Sequence, residues 1–203
     1  MKFASLAILF LSSVAVQAAT ITYHVSVDSS GISGSVPGYI ELQFNPAVGG
    51  NSLPATATID NFTSTSFTFD DLSNFSLGGV TGSLSSLPLS FDSSVGGANL
   101  FDQGVTVFGT TFGFDVTLSG AALDTTAPDG NAFFVYLLGT DFSPLVLQDG
   151  LVASIVINGD TSITTNPTDL STIEANTVPE PASLVLMLAG VSLVGFTVAS
   201  RRK

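Results

Sequence analysis

Lys2, Arg201, Arg202 and Lys203 are the only lysines and arginines of this 203-residue chain, so whatever folds between its two ends does so without one. The acids are distributed the other way. Of sixteen Asp and Glu residues all but Glu180 lie between Ala19 and Thr177, which leaves fifteen carboxylates with no Lys or Arg to pair with. Stability there must come from apolar packing and sheet hydrogen bonds. Binding of nucleic acid or of a phosphorylated ligand calls for cations, and the sequence speaks against both. The same negative charge repels anionic headgroups and favours solubility. With no Cys, neither a disulfide, a thiolate metal site nor a cysteine nucleophile is available.

The two ends are a different kind of sequence. Met1-Lys2 is a short positive start, Phe3 to Val14 is apolar but too short to span comfortably, and Val16 and Ala18 are the small residues ahead of a cleavage point. This predicts a signal peptide over 1–18, cut by signal peptidase so that the mature chain begins at Ala19. Ala182 to Ser200 carries no charge, and nineteen residues of helix at about 1.5 Å each reach about 28 Å, the thickness of the hydrocarbon layer. A single transmembrane helix over 182–200 is therefore expected. Arg201, Arg202 and Lys203 would hold its end in the cytoplasm and place the preceding domain outside it.

Directly before that stretch stands Val178-Pro179-Glu180-Pro181. A Pro-Glu-Pro triplet, an apolar helix and a terminal basic cluster, in this order, resemble the PEP-CTERM sorting signal of Gram-negative bacteria. The resemblance covers 178–203. It implies recognition by exosortase, cutting near the triplet, an inner-membrane intermediate, and delivery to the cell surface or to an exopolysaccharide matrix. The same kind of tail also goes under an ice-binding protein C-terminal label, which describes the tail and not the domain ahead of it. Pro179 and Pro181 lack amide protons and keep the segment extended, as an accessible cleavage region requires.

Between the ends the pattern is that of strands. Ile21, Tyr23, Val25 and Val27 alternate with polar residues, as do Ile40, Leu42 and Phe44 until Asn45-Pro46. Further strands are expected at Ala55 to Phe62, Ser66 to Phe69, Gly82 to Phe91, Val105 to Phe108 and Thr111 to Leu118, the last two meeting as a hairpin around Gly109. Ala132 to Leu138 and Leu151 to Asn158 are apolar on both faces and suit central strands. About nine strands predict an all-β, two-sheet β-sandwich of jelly-roll type over 19–165, its last strand at Ser162 to Thr165. The Thr-, Ser- and Asn-rich run 166–177 reads as a stalk.

Catalytic patterns are missing. His24 is the one histidine and sits on the polar side of the first strand, no G-x-S-x-G elbow occurs, and no carboxylate pair stands out, with Glu41 and Glu174 the only glutamates of the domain. A non-enzymatic surface or matrix protein is the leading expectation. The alternative is a carbohydrate-binding sandwich whose aromatic platform would draw on Tyr23, Tyr39 and Tyr136 together with Phe. Ice binding, suggested by Thr56-Ala57-Thr58 and Thr63-Ser64-Thr65, is a third. Two acidic turns, Asp70-Asp71 with Asn74 and Asp124 with Asp129 and Asn131, offer oxygen ligands for Ca2+, although Asp and Asn also favour turns for local reasons. No other cofactor is expected.

Overall fold

A computed structural model describes residues 19–34 and 36–176. The signal peptide, Val178 to Pro181, the expected span 182–200 and the basic cluster Arg201 to Lys203 lie outside the described residues. Thirteen strands account for most of the described chain: β1 (Thr20–Asp28), β2 (Gly38–Pro46), β3 (Thr56–Thr65), β4 (Thr68–Phe69), β5 (Phe75–Leu77), β6 (Val80–Ser83), β7 (Ser86–Asp92), β8 (Leu100–Val107), β9 (Thr111–Ser119), β10 (Asn131–Gly139), β11 (Leu151–Ile157), β12 (Ile163–Pro167) and β13 (Ser171–Asn176). Among the described residues no helix is long and apolar enough to cross a membrane.

The strands form two antiparallel sheets. The first has the order β13-β1-β9-β3-β7-β6; the second has the order β12-β11-β10-β2-β8-β4, with β5 also paired to β8. Alternation on the strands decides what lies between them. Tyr23, Val25 and Val27 of β1 and Phe112, Phe114, Val116 and Leu118 of β9 line the inner face of the first sheet, while Ile40, Leu42 and Phe44 of β2 and Phe133, Val135 and Leu137 of β10 line that of the second. Rings join the layers edge to face: Phe133 meets Phe114 and Phe91 across the core, each at 6.3 Å between centroids. Such contacts add to the burial of the rings themselves.

Three expectations are corrected. Val105 to Phe108 and Thr111 to Leu118 do not form a hairpin: β8 pairs with β2 in the second sheet and β9 with β1 and β3 in the first, so the chain crosses between layers at Gly109. A Cβ at Gly109 would stand 1.7 Å from the Thr65 carbonyl oxygen, so the crossing needs a residue without one. Gly82 to Phe91 is two strands, β6 and β7, which fold back on each other. The described part of the expected stalk, 166–176, is folded into the sheets. Thr165, Asn166 and Pro167 continue β12, and β13 pairs with β1 from Thr22↔Asn176 to Val27↔Ser171, forming one edge of the first sheet with Ile173 against the core. An edge strand needs one buried face only, and Leu170 and Ile173 suffice for it in an otherwise polar sequence. Among the described residues the folded domain thus extends past Thr165 to Asn176.

Candidate binding cleft

At the end of the sandwich where β2 and β11 finish and β10 begins, three connections rise around the outer face of the second sheet. They enclose a cleft of about 470 Å³, walled by Pro46–Val48, Pro128–Gly130 and Asn158–Gly159, with Ala132, Phe134 and Val156 as its floor. That is within the usual range for small-ligand sites. The walls are tied together through their backbones. Ala47 N–H and the Ser52 hydroxyl both donate to the Gly130 carbonyl, at 2.9 and 2.5 Å, and Ala127 N–H donates to the Gly159 carbonyl at 2.7 Å. A Cβ at Gly130 would lie 1.8 Å from the Ile157 carbonyl oxygen, so this close approach requires glycine.

Beyond Phe134 the outer face of the second sheet continues as two rows set by strand register. One row runs Tyr136, Glu41, Asp102, Phe75; the other runs Ser154, Phe134, Gln43, Leu100. The aromatic rings are grouped. Phe134 and Tyr136 lie 6.1 Å apart, and Phe142, 55% exposed, stacks on Tyr39 at 5.1 Å with the ring planes 2° apart. Along β2 the polar side chains form a ladder: Asn45 donates to Gln43 at 2.8 Å and Gln43 donates to Glu41 at 2.5 Å.

Glu41 and Asp102 are opposite one another on β2 and β8, and both are buried. Burial first, then the Glu41 charge and a hydrogen bond to it, push the Asp102 carboxyl up to about 7. Near neutrality Asp102 thus still holds its proton in part of the molecules, as one acid of a close carboxyl pair does. One Asp102 oxygen, Oδ1, is buried with no partner. Tyr136, beside Glu41, is raised as well, by burial and then by Glu41 and Asp149.

The acidic turns are used locally. Asp70 accepts from Leu72 N–H at 3.3 Å and from the Ser73 hydroxyl at 2.6 Å, closing a 3-10 turn over Asp71–Ser73. Asp71 accepts from Gln103 at 2.9 Å and lies below the usual carboxylate range for that reason first. The Asn74 side-chain oxygen, Oδ1, accepts from the Gln103 amide at 2.8 Å and from Gly104 N–H at 2.9 Å. In the second turn the three residues have separate partners: Asp124 takes the Ala19 nitrogen, Asp129 takes Asn51 at 3.3 Å, and buried Asn131 donates to the Leu53 carbonyl at 3.0 Å. Among the described residues no three Asp, Glu or His side chains gather around one centre.

His24 donates through Nδ1–H to Asp115 at 2.8 Å, and Asp115 also accepts from Asn61 at 2.7 Å. Burial pulls Asp115 upward, but the hydrogen bonds from Asn61 and His24 and the His24 charge outweigh it and hold the acid below its usual range. Tyr23 faces the core and offers no platform, whereas Tyr39 and Tyr136 share the outer face of the second sheet. Thr58 stands in register with Thr117 and Ser90 on the first sheet, its hydroxyl 3.4 Å from that of Ser90, while Thr22 and Thr117 bond at 2.9 Å. Asp102, Gln43, Phe134 and Phe142 were not singled out in the sequence. The alternation of Ile40, Leu42 and Phe44 with Glu41 and Gln43 was the one signal, and it bears on Gln43 alone.

Asn176, the last residue of β13, is followed at once by a different segment: residues 177–203 match the PEP-CTERM protein-sorting motif. The chain carries a PEP-CTERM sorting signal. The match includes Val178, Pro179, Glu180 and Pro181 and the cluster Arg201, Arg202 and Lys203. A PEP-CTERM tail marks an exported protein that exosortase processes at the membrane on the way to the cell surface. No curated protein and no solved structure matches the chain.

Proposed function

We propose that this PEP-CTERM protein is a non-enzymatic component of the cell surface or extracellular matrix. Signal peptidase would free Ala19, the apolar stretch 182–200 would hold the chain in the inner membrane, and exosortase would release or transfer the sandwich by acting near Pro179-Glu180-Pro181. The sorting motif standing directly after a complete two-sheet domain carries this reading. The absence of a catalytic role is supported by two arrangements. His24 is bound to Asp115 on the outside of the first sheet, and Glu41 and Asp102 are in direct contact, too close to hold a sugar ring or a water between them as glycosidase pairs do. Intact mass and cell fractionation, with and without exosortase, test the pathway. A chain running from Ala19 to about Val178–Pro181, found outside the inner membrane, is the expected product. A chain keeping Arg201 to Lys203 in the inner membrane of a cell with active exosortase would contradict the reading.

A specific observation favours a second role for the same domain, binding of a neutral polysaccharide. The cleft has an aromatic floor at Phe134, the adjoining face carries Tyr39, Phe142 and Tyr136 between amide and carboxyl groups, and the domain has no Lys or Arg to receive an acidic sugar. Sugar rings stack on such faces through their C–H groups, and the amides receive hydroxyls. Neutral glycans should bind and uronic-acid polymers should not. Phe134→Ala should weaken binding about tenfold, the order of one lost stacking contact. An array on which only acidic glycans are retained would overturn this role.

A further inference from the structure

Ala19 stands just before β1 with its side chain packed against the core, and its backbone nitrogen lies 3.3 Å from each carboxylate oxygen of Asp124. Asp124 closes the 3-10 turn Ala121–Leu123, where its own N–H donates to the Ala121 carbonyl at 3.1 Å. The carboxylate is thus set in place by the turn that follows β9. An amide nitrogen has one hydrogen to offer to the two oxygens, whereas an ammonium has three and a full charge. We propose that Asp124 is the receptor for the α-ammonium group of the mature chain, so that removal of the signal peptide creates an ion pair which the unprocessed chain lacks.

The chemistry follows from hydrolysis of the Ala18–Ala19 bond. The hydroxyl of water goes to the Ala18 carbonyl and its hydrogen to the Ala19 nitrogen, which then takes a further proton from solvent. The amine so formed adds a positive charge to a domain with fifteen carboxylates and no Lys or Arg, whose one histidine, His24, is engaged with Asp115. Beside it, β9 and β3 present Ser119 and Thr56 in register with Thr20, and among the described residues β13 ends with Asn176 opposite Thr22. None of these ionises. The pair fastens the start of the connection between β9 and β10, whose far end, Pro128–Gly130, is a wall of the cleft.

This assignment rests on export with cleavage after Ala18, and the test separates the two. The full chain is expressed in an exporting host, and the processed protein is compared with Asp124→Asn and with a variant carrying one glycine inserted between Ala18 and Ala19, which displaces the amine by one residue. The α-amino group is titrated by pH-dependent acylation read by mass spectrometry. In the processed wild type it should titrate about 0.5 above the ordinary ~7.7–8.0, and in both variants at the ordinary value. Because folding then raises the affinity of the amine for its proton, the added stability is present below the unfolded value and is lost as pH rises through the folded one. The wild type should accordingly lose Tm between pH 7 and pH 9 relative to Asp124→Asn. A mature chain beginning at Ala19 whose amine titrates as in Asp124→Asn overturns the assignment alone. A mature chain that begins elsewhere overturns the processing as well.

Discussion

Asp102 is an acid with 1% of its surface exposed, one oxygen unpartnered and another acid as its neighbour. Folding makes it hold a proton that the unfolded chain releases in the ordinary carboxylate range. The resulting contribution to stability is whole below that range and is lost as pH rises through about 7. Asp102→Asn is neutral at every pH and can donate its amide to Glu41. Its Tm relative to the wild type should rise by about 2–4 °C between pH 5 and pH 8. Parallel Tm profiles for the two proteins across pH 5–8 would show that the carboxyl titrates elsewhere. Glu41 was visible in the sequence as one of two glutamates in the domain. Its partner was not, because Asp102 becomes adjacent only through the pairing of β2 with β8, and nothing local in either segment announces that register.

Elements with a clear alternation were legible. β1, β2, β9, β10 and β11 fall where period-two patterns and apolar runs place them, since each buries one or two full faces. The stalk expectation failed for the opposite reason: β13 has mostly polar residues and gains its place by adding to the edge of β1. Ile173, partly buried against the core and opposite Val25, is the residue that distinguishes the two descriptions. Ile173→Ala should cost about 1–2 kcal/mol in chemical denaturation, less than a fully buried truncation because the side chain keeps some contact with water. A stalk residue would leave the midpoint where it is. The hairpin expected around Gly109 failed because short spacing between two strands fits a crossover as well as a turn. The pairing of β8 with β2 and of β9 with β1 and β3, in different sheets, decides between them.

For the molecule as a whole, fifteen carboxylates without lysine or arginine repel one another, and salt should relieve this. Raising sodium chloride from about 0.01 M to about 1 M shortens the screening length from about 30 Å to about 3 Å, and Tm should rise across that range. Calcium at either acidic turn would add a further rise over sodium at equal ionic strength, reversed by chelator; equal Tm values in the two salts would leave those turns without a calcium role. The sequence by itself determined the sorting tail and the class. A sorting tail and a strand-patterned middle without Lys or Arg are written in contiguous residues, where composition and period act directly on what a segment can become. Only the tertiary structure decided which strands share a sheet, that the last of them closes an edge, and that Phe134, Tyr136, Glu41 and Asp102 share one face. Those relations depend on backbone pairing between segments tens of residues apart, and that pairing is chosen by the burial of the whole set of inner faces at once.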